Sequence, residues 1–195
     1  MEEIKERKRE VREGITDALK LLSDKERMEK TRKIEDRLFD FANFIEAKVS
    51  LLYINAENEV DTRGILRRCF FQKKITVLPL FDKEKRKIGL MKADNLDKDL
   101  RPGVRGVPEP DPEKCQTVPI ERVDIAIIPG FAFDEKGARL GSGQGYYDRL
   151  IPKLPVTTRK VALAMEEQII PQVPMQSHDK HVDIVITDKR IIYKI

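Results

Sequence analysis

Residues 138 to 150 read ARLGSGQGYYDRL, with three alternate glycines, Gly141, Gly143 and Gly145, directly ahead of Tyr146, Tyr147, Asp148 and Arg149. Residues without β-carbons let a backbone come close to an anion, and the free N–H groups at the start of a following helix add a favourable dipole. A polyphosphate fits such a place; a flexible turn is the plain alternative. The two tyrosines suit stacking on a flat ring or packing into a core. Asp148 fits the first turn of a helix on dipole grounds alone, and it equally fits a magnesium site beside phosphates. The run is neither a Rossmann turn, because Tyr146 replaces the last glycine of G-x-G-x-x-G, nor a Walker loop, because no Gly-Lys precedes Ser or Thr.

Two cations raise a second question. Ile4, Val11, Ile15, Leu19 and Leu22 recur at helical spacing, and Lys8 and Arg12 fall on the packed side of that stripe. Either their stems snorkel along its edge or their charges serve a ligand. Covalent acyl chemistry has little support, since no G-x-S-x-G elbow occurs and neither Cys69 nor Cys115 has a histidine nearby in sequence. His178 and His181 form an H-x-x-H with no third ligand at convincing spacing and read as a surface loop.

The elements that must position these groups follow from the pattern. Ser23 to Glu26, SDKE, is a capping box opening a second helix whose Ile34, Leu38, Phe41 and Ile45 face inward. From Lys48 the chain changes to short β-branched runs, VSLLYI, ITVLPLF, VDIAIIP, VALAM and VDIVIT, which read as strands. Between the first two lies DTRGILRRCFF, a helix with Thr62 as N-cap, and the glycine stretch leads into a further helix burying Leu150 and Ile151. The alternation predicts an α/β fold: a layered, largely parallel sheet with helices on both faces, in one domain over residues 1–195. Residues 101 to 119, with five prolines, read as an irregular connection inside it.

Composition narrows the function classes. Of 195 residues, 40% are hydrophobic, enough for a core, and no apolar run approaches the ~20 residues of a membrane span. The start, MEEIKERKRE, lacks the apolar stretch of a secretory signal, and the two cysteines form no C-x-x-C pair, so a cytoplasmic, non-membrane protein is expected. The net charge of +4 invites nucleic acid as a partner, but residues 1 to 40 balance 12 basic against 12 acidic side chains. The pairs Glu3 with Arg7, Glu26 with Lys30 and Glu29 with Lys33 there have the spacing of a solvated helix face. The excess lies in residues 63 to 87, with 9 basic against 2 acidic.

The stretch PGFAFDEKGARLGSGQGYYDRL, Pro129 to Leu150, strongly resembles the central motif of the 5-formyltetrahydrofolate cyclo-ligase family, also called 5,10-methenyltetrahydrofolate synthetases. The likeness runs nearly end to end through KREVR, ENEVDT, VLP, GVPEP and VDIVIT, in that order. It implies an ATP- and magnesium-dependent cyclisation of 5-formyltetrahydrofolate to 5,10-methenyltetrahydrofolate, releasing ADP and phosphate through a phosphorylated formyl group. It implies ATP on Lys8, Arg12, Arg139, Leu140, Gly141, Ser142, Gly143, Gln144, Gly145, Tyr146 and Tyr147. Folate is implied at Ile54, Glu59 and the loop from Ser142 to Tyr146, and magnesium at Asp148 and Asp183. The substrate supplies the nucleophile, in keeping with the absence of a serine or cysteine one. The loop departs from the family at Ser142 and Gln144, where members often carry a cation or an aromatic. Within this reading no nucleic acid is expected, a monomer is, and the basic face bearing Arg63, Arg67, Arg68, Lys73 and Lys74 serves either solubility or the acidic tail of a polyglutamylated folate. The alternatives are a sugar-phosphate or acyl-CoA enzyme of similar architecture and a basic RNA-binding protein using residues 63 to 87.

Overall fold

The computed structural model describes residues 2–194. The chain opens with α1 (Glu2–Lys20), α2 (Asp24–Phe39) and α3 (Ala42–Glu46), then β1 (Val49–Leu51), α4 (Arg63–Phe71), β2 (Ile75–Asp82) and β3 (Lys87–Ala93). A hairpin follows, β4 (Leu100–Pro102) and β5 (Pro108–Pro110), then β6 (Ile125–Ile128), β7 (Ala132–Phe133), β8 (Arg139–Leu140) and α5 (Tyr146–Leu150). Last come β9 (Arg159–Ala164), β10 (Ile184–Thr187) and β11 (Ile191–Tyr193).

Seven strands form one sheet in the order β11-β10-β9-β6-β1-β2-β3. The central five run parallel, while β3 and β11 pair antiparallel at the edges. Strands covered on both sides read as continuous aliphatic runs, and successive side chains alternate between the two faces. Ile125, Ile127, Val161, Leu163, Ile184 and Ile186 enter one core, whereas Ala126, Ile128, Ala162, Ala164 and Val185 enter the other. The first core is roofed by Ile15 and Leu19 of α1, Ile34 and Leu38 of α2, Phe44 of α3 and Ile65 and Leu66 of α4. The second receives Tyr146, Tyr147 and Leu150 of α5. Helices therefore cover both faces, but unevenly.

Several expectations need correction. α2 stops at Phe39, so Phe41 is buried as the residue leading into α3, whereas Ile45 is 58% exposed. The capping box forms between Ser23 and Glu26. Thr62 stands at the N-cap position without capping; its hydroxyl donates to the Tyr53 carbonyl at 2.6 Å, which ties α4 to the end of β1. Lys30 does not pair with Glu26 but reaches across to Glu167 at 2.8 Å and Asp188 at 3.0 Å. The proline-rich connection contains the β4–β5 hairpin. The helix after the glycines is five residues long before it tightens into a 3₁₀ turn over Ile151–Lys153, so its dipole is small. No helix among the described residues is long and apolar enough to cross a membrane.

Candidate active site

The site lies at the carboxyl edge of the parallel strands, where β2 carries Phe81 next to its last residue and β6 passes through Pro129 into the β7–β8 ribbon and the glycine loop. Within the loop Gly143 has φ +96° and Gly145 +65°, left-handed conformations that a side chain would strain. The loop bends around the α1 cations: Arg12 Nε donates to the Gly141 carbonyl at 2.9 Å. Lys8 is buried, with Nζ 3.2 Å from Gln176 Oε1 and ion-paired to Asp179. An open cleft of about 420 Å³ is lined by Lys5, Lys8, Arg12, Gly141, Gly143, Gly145 and Asp148, together with Leu140, Gln176, His178 and Asp179. Burial alone would raise the Asp179 carboxyl, but hydrogen bonds from Lys8 and the Gln176 N–H outweigh it and hold it below the usual range. Burial lowers Arg12 from its ordinary value, with Asp179 opposing; a guanidinium remains charged there.

On the far side of the loop a narrow slot of about 10 Å³, space for roughly one water, is bounded by Tyr53, Ile54, Glu59, Phe81, Arg105 and Tyr147, among others. Phe81 receives both tyrosines edge-on, Tyr146 at 5.0 Å and Tyr147 at 6.4 Å between ring centroids. Burial raises the Glu59 carboxyl, against the Ala56 N–H donating to Oε2 at 2.8 Å and the charges of Arg105 and Arg139. The Tyr147 hydroxyl is buried with no hydrogen-bond partner among the described residues, and burial pushes its pKa strongly up.

Between cleft and slot lies a small pocket formed by Arg105, Arg139, Gly141, Ser142, Gly145, Tyr146, Tyr147 and Asp148. Arg139 is 3% exposed. It donates to the Pro129 carbonyl at 2.9 Å and to Asp148 Oδ1 at 2.8 Å, so it fixes the carboxylate rather than reaching into the cleft. Asp148 Oδ1 also accepts from the Lys180 N–H, while Oδ2 has no hydrogen bond among the described residues and Asp148 borders both cavities.

Lys8, Arg12, Leu140, Gly141, Gly143, Gly145 and Asp148 thus come together around the cleft, Arg139, Ser142, Tyr146 and Tyr147 around the middle pocket, and Ile54 and Glu59 around the slot. Two expected residues stand apart. Gln144 is exposed and engaged through its carbonyl, which accepts from Arg149. Asp183 lies at the amino edge of β10, accepting from the Lys160 N–H at 2.9 Å with the Lys160 ammonium at 3.6 Å, and it borders none of these cavities. Sequence reasoning passed over Phe81, Arg105, Gln176 and Asp179, which reach the site only through the tertiary fold. The one available signal was the cation in GVRGVP, flanked by turn-forming glycines.

The basic segment is consumed internally in part. Arg63 pairs with Asp61 at 2.7 Å, Arg68 lies 3.6 Å from Asp36 and over the Phe39 ring, and Lys74 donates to the Phe44, Ile45 and Ala47 carbonyls at the end of α3.

Comparison with known proteins gives the family and the fold. The model of the 5-formyltetrahydrofolate cyclo-ligase family matches residues 4–188. A mouse 5-formyltetrahydrofolate cyclo-ligase is 27% identical over 92% of both chains. A probable 5-formyltetrahydrofolate cyclo-ligase of Caenorhabditis elegans is 29% identical over 98% of both. The NMR structure of Aquifex aeolicus 5,10-methenyltetrahydrofolate synthetase superposes with a TM-score of 0.83 at 31% identity, covering 95% of this chain and 92% of that one. The Mycoplasma pneumoniae 5,10-methenyltetrahydrofolate synthetase, at 21% identity and a TM-score of 0.73, shares the fold.

Proposed function

The chain belongs to the 5-formyltetrahydrofolate cyclo-ligase family and is an enzyme of that class; on that premise we propose that it cyclises 5-formyltetrahydrofolate to 5,10-methenyltetrahydrofolate at the expense of ATP. The observation that carries this reading is the meeting of two unlike cavities at one loop: an open cation-lined cleft on the α1 side and an aromatic slot with a buried carboxylate on the other. ATP lies in the cleft with its phosphates against Arg12, Lys8 and the glycine backbone. The folate ring enters at the mouth of the slot, which has to widen to admit more than a water, and there Glu59 accepts from ring N–H donors while Ile54 and Phe81 face the ring.

A formyl amide carbon is a weak electrophile. In the reading proposed, the formyl oxygen forms a bond to the γ-phosphorus as the bond from that phosphorus to ADP breaks. The second folate nitrogen then adds to the activated carbon and loses its proton, and phosphate leaves with the electron pair of the C–O bond. The protein's share is alignment and charge neutralisation, so the absence of a protein nucleophile is no obstacle.

Magnesium fits the residues present. No cluster of three or more His, Cys, Asp or Glu suited to a metal occurs among the described residues, but magnesium keeps several waters and commonly takes one or two carboxylates plus substrate phosphates. Asp148, which borders the cleft and whose Oδ2 has no hydrogen bond among the described residues, would hold it, and Arg139 orients that carboxylate. Bound there, the ion would neutralise phosphate charge. Asp183 would join only by giving up Lys160.

A cytoplasmic site of action accords with two unpaired cysteines. The family match gives no support to the sugar-phosphate, acyl-CoA or RNA-binding alternatives. The deciding experiment supplies protein with 5-formyltetrahydrofolate, ATP and magnesium and follows methenyl absorbance. ATP-dependent absorbance is expected, and none, or absorbance without ATP, overturns the reading. Asp148→Asn is expected to lower turnover and raise the magnesium required, while Asp183→Asn, remote from the cleft, changes the magnesium optimum only if it shares the ion.

A further inference from the structure

The loop Gly141 to Gly145 carries no charged side chain, so every charge that meets a ligand there comes from elsewhere. Three of the nearby cations are already employed. Lys8 is held by Asp179 and Gln176, Arg12 donates through Nε and Nη1 to the Gly141 and Lys8 carbonyls, and Arg139 donates through both terminal nitrogens. Arg105 differs. It sits at the tip of the β4–β5 hairpin, 4.7 Å above the Phe81 ring, and donates a single hydrogen bond among the described residues, Nη2 to Ser142 Oγ at 3.4 Å. A guanidinium has five N–H donors in a planar fork. Most of those of Arg105 are unspent; its charge is felt by Glu59 across the slot, but no carboxylate lies within ion-pair distance of it among the described residues. It borders both the slot and the middle pocket, the boundary across which a group must pass between the two cavities. The same boundary holds two buried atoms without partners, the Tyr147 hydroxyl and Arg139 Nε, which marks it as a place built for a polar group.

We propose that Arg105 is a catalytic residue of this chain, an arginine carried on the hairpin that contacts the γ-phosphoryl group during its transfer to the formyl oxygen. The inference rests on the proposed cyclo-ligase reaction and deepens it. During transfer the bond from phosphorus to the formyl oxygen forms as the bond to ADP breaks, and negative charge spreads over the three oxygens that leave with neither partner. The planar fork donates to two of those oxygens without moving a proton. Phe81 parks the guanidinium through its ring face when the pocket holds no phosphate. Ser142 then acts as the hydroxyl that indexes the hairpin against the loop.

The test compares wild type with Arg105→Gln, Arg105→Lys and Arg105→Ala in methenyl formation, with KM for ATP, kcat and melting temperature measured together. Removal of a donor aimed at a transition state costs about 100-fold in rate, so Arg105→Gln and Arg105→Ala are expected to lose about that in kcat, with KM for ATP changed less than about fivefold. Arg105→Lys, which keeps charge and loses the fork, recovers part of the loss, and added guanidinium at millimolar concentration raises the rate of Arg105→Ala but not of wild type. A residue that merely packs on Phe81 would lower melting temperature, leave kcat in place and show no guanidinium rescue; that result overturns the proposal. A wild type that forms no methenyl product overturns the cyclo-ligase reading and this inference with it, whereas an active wild type with equally active Arg105 variants overturns this inference alone.

Discussion

At the residue scale, the two α1 cations are not equivalent, although their sequence spacing made them look alike. Arg12 keeps its charged guanidinium at the cleft wall and donates to the Gly141 and Lys8 carbonyls, both of which water can reach once it is gone, so Arg12→Ala removes a phosphate contact at a stability cost of about 1.5 kcal/mol. Lys8 is half of a pair whose side chains are only 10% and 11% exposed, and Lys8→Ala strands Asp179 at a cost on the order of 3 kcal/mol. Titration with ATP and thermal melts should therefore separate them: Arg12→Ala raises KM for ATP about 10-fold or more with a near wild-type melt, and Lys8→Ala loses both. Equal melts for the two variants would show that the Asp179 pair contributes little. Glu59 gives a pH signature. Its carboxyl is raised chiefly by burial, so it takes up a proton at higher pH than an ordinary glutamate, whose pKa is about 4.3. If its ionised form accepts the ring N–H groups, kcat/KM for the folate falls on the acid side with a midpoint above that value, and Glu59→Gln removes the limb and leaves a low, flat profile. The stability sign is opposite. A raised carboxyl pKa means that the ionised form is disfavoured by the fold; the cost is fully present above the folded pKa and is relieved as pH falls below the unfolded one. Glu59→Gln should thus melt higher than wild type at neutral pH.

At the element scale, what was readable in the sequence was what is local. The Ser23 to Glu26 box forms because both partners lie within one turn, and the β-branched runs become strands because each is buried on both sides of the sheet. The β4–β5 hairpin was not readable, because its prolines argue against a strand and are tolerated only in a two-stranded ribbon with outward-facing edges. The Lys30 to Asp188 pair spans 158 residues and overrides the helical Glu26 to Lys30 spacing, as tertiary contact does whenever a buried partner is within reach. The helix after the glycines buries Leu150 and Ile151 as expected, but α5 ends at Leu150 and Ile151 opens the 3₁₀ turn that contains Pro152, whose missing N–H cannot extend the α-helical ladder. The sequence assigns the glycines either to close approach of the backbone to an anion or to a turn, and at Gly143 the geometry adds a requirement of the backbone itself. A β-carbon there would stand 3.6 Å from the Arg12 guanidinium, ordinary contact, so steric exclusion is not the issue; the φ of +96° is. Gly143→Ala is expected to cost about 1–2 kcal/mol through backbone strain and to raise KM for ATP as the loop relaxes. Gly14→Ala is its counterpart. Gly14 lies within α1 with nothing within 4 Å of an added β-carbon, so that variant should gain about 1 kcal/mol from helix propensity. An unchanged KM for ATP in Gly143→Ala would show that the loop binds no phosphate through its backbone conformation.

At the scale of the whole molecule, the question is where the excess positive charge acts. The net charge is +4, and residues 63 to 87, with 9 basic against 2 acidic side chains, carry more than the whole of it, which made them the natural landing place for an acidic folate tail. In the fold, Arg63 is answered by Asp61, Arg68 by Asp36 and Glu35, Lys74 by three carbonyls, and Lys85 by Asp82. Moreover, Arg63 opens onto a cleft of about 390 Å³ whose rim carries Asp24, Glu57, Glu59 and Asp61, four carboxylates against two arginines. An acidic tail leaving the Glu59 slot in that direction meets repulsion at this rim, and the exposed cations Arg67, Lys73, Lys83, Arg86 and Lys87 line none of the cavities around the slot. Exposed charges act over a Debye length of about 8–10 Å at moderate salt, so a tail held by this face would bind more weakly as salt rises. The expected result is the contrary: KM for a pentaglutamyl substrate should differ little from that for the monoglutamyl form, and the ratio should stay constant between low and high salt. A preference for the longer tail that fades with salt, and fades further in Arg67→Ala, would show instead that the basic segment attracts polyglutamate despite its internal pairing.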